Sequence, residues 1–327
     1  MPQTAYNLSD QNALSASFGK IVKEVYEKPF YEALDRDTLA FKLFPRKNVN
    51  EAVIRWKVKY QGNTAVSWYD EDDPYGSPGE QSYENASLQI RMVRVIVQFS
   101  RLVERASRGG AWVDVRADEV EGALEDLRAA INDRFLHGSQ AAPNPETQAE
   151  NIGHIVFDAN NNVYAGISRT NAWWKSQRLE NGGTNRPLTL ALMNQLYAAL
   201  QKPGVAAKPS FILTTFSLRD AYGDIADARR VFTAGASPTN LDVGYGNLNY
   251  MGIPIIATNQ IGGLTGNKGR MYFIDKRSWS IAMLAGFETD DVWVDADVTK
   301  LAIKSYLQLV CKAPFQQGVI DDLISNY

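Results

Sequence analysis

The amino-acid sequence predicts an α+β fold with a long β-hairpin standing out from it. Three observations carry this reading. First, two strand-like runs flank the stretch "SWYDEDDPYGSPGEQSYEN", in which Asp70, Glu71, Asp72 and Asp73 are followed by Pro74, Gly76, Pro78 and Gly79. Proline lacks an amide donor and glycine gives up backbone entropy, so this stretch is a loop and not a helix or central strand. Second, residues 112–138 carry the periodicity of one long amphipathic helix. Third, from about residue 150 onward short apolar runs alternate with helical patterns.

Composition sets the bounds. A chain of 327 residues is long for one compact core and suits two lobes or more. Apolar content of 45% and charged content of 22% place it with soluble globular proteins. A net charge of -3 supplies no overall field for nucleic acid or a membrane surface. Cys311 is the one cysteine, so no internal disulfide forms and the fold needs no oxidising compartment. The opening "MPQTAYNLSDQNALSASFGK" lacks the apolar stretch of a signal peptide, and no run of about 18 apolar residues predicts a membrane span. The Asn-X-Ser matches at Asn7 and Asn85 are then chance, since nothing directs secretion.

The elements follow in order. Residues 1–48 read as an arm: Leu14, Phe18, Ile21 and Val25 share a helical stripe that Pro29 interrupts, and a mixed segment follows. In "VIRWKVKY", Ile54, Trp56, Val58 and Tyr60 alternate with Arg55, Lys57 and Lys59, giving a strand with one apolar and one basic face. In the return run "LQIRMVRVIVQFS" the apolar phase slips between Met92 and Val93, which predicts a bulge or bend. A lone two-stranded hairpin is only marginally stable in water, so this one must lie on its own subunit or on a neighbour. In the long helix Val113, Ala117, Val120, Leu124, Leu127, Ile131 and Phe135 form one stripe, and Gly138 sits where a C-terminal glycine cap belongs. Its other face carries Asp118, Glu119, Glu121, Glu125, Asp126 and Asp133, either as a solvated face or as a contact for a basic surface. "QAAPNPETQ" is a loop. "LTLALMNQLYAALQ" and "SLRDAYGDIADARRVF" read as helices, "SFILTTF" as a buried strand, and "MGIPIIATNQ" and "GRMYFID" as strands. "TKLAIKSYLQLVCKAPF" is a long strand-like run, followed by "GVIDDLISNY".

No catalytic constellation emerges. Two histidines and one cysteine cannot build the usual zinc sites, and His137 and His154 read as surface or helix-end residues. No G-x-S-x-G elbow occurs. "GGLTGNKG" fails as a phosphate loop because Asn267 and Gly269 stand where Gly and Ser or Thr are needed. "GYGNLN" reads as a turn, with Asn249 in the last glycine position of a dinucleotide fingerprint. The acids at 70–73 could hold a cation through carboxylate oxygens, against the plainer reading of a solvated tip. The sequence therefore predicts no enzyme, no cofactor and no metal.

Three segments in order carry a resemblance. They are the hairpin with the long helix ending "FLHGS", then "LTLALMNQLYAAL" with "PSFILTTFSLRDAY", then "MGIPIIATNQ", "GRMYFIDKRSW" and "LAIKSYLQLVCKAPFQQGVI". Together they resemble the major capsid proteins of tailed double-stranded-DNA bacteriophages, the Hong Kong 97-type fold, over nearly the whole chain. The resemblance implies an N-arm at 1–48, an extended E-loop hairpin at 49–102 and a peripheral domain at 103–150 with its spine helix at 112–138. An axial domain at 151–299 and a return strand of the peripheral domain at 300–327 would complete the fold. It implies a virion shell of hexamers and pentamers, assembled in the host cytoplasm around double-stranded DNA that is contacted non-specifically, with a portal protein and with decoration proteins as a further class of partner. The founding member carries a cleaved scaffolding region for which this chain has no room, so a separate scaffolding protein is expected. That member also welds its subunits by a lysine–asparagine isopeptide bond assisted by a glutamate. Here no lysine occurs between Lys59 and Lys175, and the partner positions align with Ser305 and Lys312, so no weld is expected. The expected inter-subunit contacts are Trp56, Trp68, Tyr69, Asp70, Glu71, Asp72, Asp73 and Tyr83 on the hairpin, and Arg91 and Arg94 on its return strand. Glu119, Glu121, Glu125 and Asp126 on the helix complete them. An encapsulin-type compartment shell, which resembles the same fold, is the alternative. An α/β hydrolase or transferase would need a polar pocket with perturbed titratable groups.

Overall fold

The computed structural model describes residues 38–74, 76–100, 115–139, 147–156, 163–202, 205–227, 248–261, 268–295 and 298–324. The apolar stripe expected at 14–25 lies outside them, as do 112–114 of the expected helix. In chain order the elements are α1 (Leu39–Leu43), β1 (Arg46–Asn48), β2 (Val53–Gln61), β3 (Ser82–Gln89), β4 (Arg91–Ser100), α2 (Val115–Leu136), α3 (Ile152–Ile155), β5 (Val163–Tyr164), β6 (Ile167–Ser168) and β7 (Gln177–Leu179). Then come α4 (Leu190–Leu200), β8 (Phe211–Thr214), α5 (Phe216–Asp227), β9 (Asn249–Tyr250), β10 (Ile253–Ala257), β11 (Lys268–Ile274), β12 (Trp279–Asp295), β13 (Val298–Cys311) and β14 (Gly318–Ile324).

Two larger sheets organise the chain, in strand orders β1-β12-β13-β4 and β7-β14-β11-β8-β10-β9, with β2–β3 and β5–β6 as separate pairs. At three places the strands divide between sheets in ways the sequence did not indicate. The return strand of the hairpin is two strands: β3 pairs with β2, and β4 leaves the hairpin to pair with β13 from Arg91↔Leu307 to Ser100↔Val298. The break falls at Ile90, whose amide donates to the Ala52 carbonyl at 2.9 Å. The phase slip read between Met92 and Val93 thus falls earlier, at Ile90, and is a change of sheet that leaves Met92 exposed. β12, although within 151–299, lies in the four-stranded sheet with β13 and not in the six-stranded one. β14 joins the six-stranded sheet beside β11 and β7 and does not continue the four-stranded one.

The long helix α2 packs on the four-stranded sheet by its predicted stripe. Leu127, Ile131 and Phe135 are buried, Val120 and Leu124 half-buried, and Val120 lies against Val97, Phe99 and Leu301. At about 25 cal/mol per Å² such burial is the main stabilising term. Gly138 does not cap the helix in a left-handed conformation. Close packing here falls on Gly153 instead: a Cβ there would meet the Gly138 carbonyl carbon and oxygen at 2.3 Å.

One buried network ties the six-stranded sheet to the end of α2. "GVIDDLI" places two acids in an otherwise apolar buried strand. Asp321 Oδ1 accepts from Arg270 Nε at 2.7 Å and Oδ2 from Arg178 Nη2 at 2.9 Å, while Arg270 Nη1 donates to the Gly138 carbonyl. Asp322 adopts a left-handed φ of 55°, and its Oδ2 accepts the amides of Asn181 and Gly183. Burial pushes the Asp321 carboxyl up, and the two guanidiniums outweigh it, holding the group at about 2. A carboxyl depressed below its unfolded value of about 3.9 stabilises the fold above that pH and loses the contribution as pH falls toward 2. Thermal melts should therefore show about 2 kcal/mol of stability lost between pH 5 and pH 2 through this group. Asp321→Asn should be less stable at neutral pH and should flatten that acid limb. A wild-type limb retained in the variant would count against the assignment.

Candidate functional site

The hairpin is the feature with most surface and least support. Its stem obeys the period-2 pattern read from the sequence. Val58, Ala86 and Leu88 are buried, and Ile54 and Trp56 pack against the same core. The register pairs Arg55↔Ser87, Lys57↔Asn85 and Lys59↔Tyr83, so these six residues share the opposite face, and all are exposed. Tyr60 stacks on Trp173 at 4.8 Å between ring centroids and 15° between planes, and the Ser87 amide donates to the Ala165 carbonyl at 2.9 Å. The stem thus lies on its own subunit. Two features anchor it there that the sequence did not single out. Ala165 and Gly166 both take left-handed φ, of 54° and 81°, in the β5–β6 turn that receives the Ser87 amide.

Beyond the stem the chain is exposed. Val66, Trp68 and Tyr69 are 86%, 103% and 82% exposed. The acids fold the tip on itself: the Asp73 amide donates to the Asp70 carbonyl at 3.0 Å, and the Asp70 amide to Asp73 Oδ2 at 3.0 Å. The Glu71 amide donates to Asp70 Oδ1 at 2.8 Å. All four acids are exposed, and no cation of the described residues pairs with them. Large exposed aromatics without intrachain contacts mark an interaction surface.

The other expected contact residues separate. Trp56 is half-buried against the core, so it anchors the stem within the subunit. Tyr83 stays 55% exposed, its hydroxyl donating to Gln81 Oε1 at 2.6 Å. In β4 the odd residues face α2, as Val97 and Phe99 show, and the even ones face away. Arg91 is half-buried and donates to Gln89 Oε1 at 3.0 Å. Arg94 lies on the outer sheet face, opposite Lys304 and between Met92 and Ile96, which are 73% and 53% exposed. Among the described residues neither arginine pairs with an acid of α2: strand alternation turns Arg94 away, and Arg91 bonds Gln89. On α2, Glu121 and Asp126 are exposed and Glu119 and Glu125 half-buried.

The interior holds polar groups but no reactive arrangement. His154 is buried in α3, not at the surface, with Nδ1 2.7 Å from Glu150 Oε2. The Glu150 amide donates to Gln308 Oε1, so the pair pins this segment to β13. Burial pushes the Cys311 thiol up to about 12, which leaves it protonated and inert. Among the described residues no group of three or more His, Cys, Asp or Glu could hold a metal ion, and no helix is long and apolar enough to cross a membrane.

Comparison with known proteins bears on what such a hairpin is for. Residues 96–323 match the profile of the family described as SU10 major capsid protein. The chain belongs to this family. The capsid protein overlays the cyanophage A-1(L) capsid asymmetric unit with a TM-score of 0.71 at 18% identity, covering 93% of this chain and 98% of that one. It overlays the capsid of a native GTA particle with a TM-score of 0.65 at 12% identity, over 98% and 100% of the two chains. The SrpI encapsulin of Synechococcus elongatus PCC 7942 gives 0.61 at 12% identity, over 95% and 96%. No curated sequence relative matches. The fold is the Hong Kong 97-type, the role is structural, and the capsid protein associates with copies of itself in the shell of a virion.

Proposed function

We propose that the capsid protein forms hexamers and pentamers that close an icosahedral head around double-stranded DNA. The observation that carries this is the uncovered hairpin tip, with Trp68 wholly exposed on a segment too thin to bury it. In this reading the tip residues Trp68, Tyr69, Asp70, Glu71, Asp72 and Asp73, with Tyr83, dock on an adjacent subunit. Arg94 on the outer sheet face and Glu121 and Asp126 on α2 are further contacts between subunits. The strands and helices of 151–274 form the lobe whose tips meet at the five- and six-fold axes. A separate scaffolding protein, a portal protein and decoration proteins are the partners in assembly, which takes place in the host cytoplasm. DNA is contacted non-specifically. An encapsulin-type compartment is the second reading, favoured by the SrpI overlay. Negative-stain microscopy of purified particles tests both: phage-sized heads support the first, small compartments of one size the second, and no shells overturn both.

The shell is held without isopeptide bonds. The tip carries no lysine, and Ser305 is fully buried on the sheet face toward α2, out of a neighbour's reach. Particles boiled in detergent should release a single band near 36.4 kDa. A ladder of covalent oligomers would show that welding occurs elsewhere.

A further inference from the structure

We infer that the basic outer face of the hairpin stem is the seat for the acidic, aromatic tip of a second copy, so that hairpins join head to tail. This rests on the reading of the chain as a shell subunit and names the surface its tip meets. Arg55, Lys57 and Lys59 stand at alternate positions of β2, all exposed and none paired with a carboxylate of the described residues. Across the ladder their face is completed by Ser87, Asn85 and Tyr83, which bring no negative charge. The stem therefore offers three uncompensated cations in a row. The tip offers four acids in a row, Asp70–Asp73, beside exposed Trp68 and Tyr69.

Cations suit both parts of that tip: they pair with carboxylates and attract the faces of aromatic rings. The outer face of the four-stranded sheet is a poorer seat. There Lys304 is already paired with Asp290, and Glu288 lies directly opposite Lys304 in the register. Within the subunit the tip does not lie on its own stem: Trp68 and Tyr69 are exposed, and the acids at 70–73 bond among themselves. The contact is thus between copies. It joins two different surfaces, so it repeats from copy to copy and closes where the rotation between copies completes a ring. It also weakens with salt, since both surfaces are exposed.

Paired charge reversals test it. Lys57→Glu with Lys59→Glu, and separately Asp72→Lys with Asp73→Lys, should each lower the assembled fraction at physiological salt by about tenfold or more. The chain carrying all four changes should recover to within about threefold of wild type, because the pairing is restored with signs exchanged. Circular dichroism of the subunits checks folding. As a second arm, Asn85→Cys with Ser67→Cys, exposed neighbours that leave the cations and the aromatics in place, should give oxidised oligomers up to hexamer on a non-reducing gel, the buried Cys311 staying out of the reaction. Assembly indifferent to either reversal, no recovery in the fourfold variant, or monomers only after oxidation would overturn the head-to-tail contact. A wild-type chain that forms no shells would instead overturn the shell reading itself.

Discussion

Trp68→Ala combined with Tyr69→Ala is expected to leave the subunit folded and to abolish stable heads. The two side chains are exposed in their own subunit, so the variant's stability before assembly should match wild type within about 0.5 kcal/mol, as is usual for surface changes. Assembly is another matter. Buried aromatic anchors at interfaces contribute about 2 kcal/mol or more each, which is roughly thirtyfold in affinity per anchor. Every subunit of a shell presents one tip, so the loss recurs at every contact. Head yield by sedimentation, together with heat resistance of any particles formed, measures it. Unchanged yield and heat resistance would show that the tip is not an anchor.

Gly153→Ala should produce the largest loss within the subunit. An added Cβ would lie 2.3 Å from the carbonyl carbon and oxygen of Gly138 and 2.5 Å from the Ser139 carbonyl oxygen. All three are backbone atoms, so no side chain can swing aside. The Gly153 amide also donates to the His137 carbonyl at 3.1 Å, which holds the two segments together. Parting them would strain the Arg134 bond to the Ala149 carbonyl and the Glu150 bond to Gln308 as well. Overpacking of this kind costs about 3 kcal/mol or more, a fall of roughly 5 °C or more in melting temperature. Gly122→Ala is the control. It lies within α2 with nothing within 4 Å of a Cβ, and should be neutral or stabilising by up to about 1 kcal/mol. Equal melting temperatures for the two variants would refute the close-packing role.

The sequence by itself determined the elements whose signals are local. The 3.6-residue stripe of α2 is written in Leu127, Ile131 and Phe135, and the alternation of β2 in Trp56 and Val58 against Lys57 and Lys59. The Pro–Gly run excluded regular structure between the two hairpin strands. These follow from side-chain direction and backbone sterics, which act within a few residues. What only the tertiary structure decided depends on pairing between residues far apart in the chain. A phase slip was legible between Met92 and Val93, a little past the true break at Ile90, but nothing local says that β4 pairs with Val298–Cys311, or that Arg94 therefore turns away from α2. The 17-residue strand β12 passed unnoticed because its half-exposed polar stretch lacks a clean apolar period; its strand character comes from the ladder to β13. The split of the last 28 residues between two sheets is likewise a matter of which edge is free to accept a strand. Asp321 and Asp322 stand as acids in an apolar run, yet the Asp321 partners Arg178 and Arg270 and the Asp322 partner Lys268 lie more than 50 residues away in sequence. A buried carboxylate requires cations, but sequence separation does not say which ones the fold will bring.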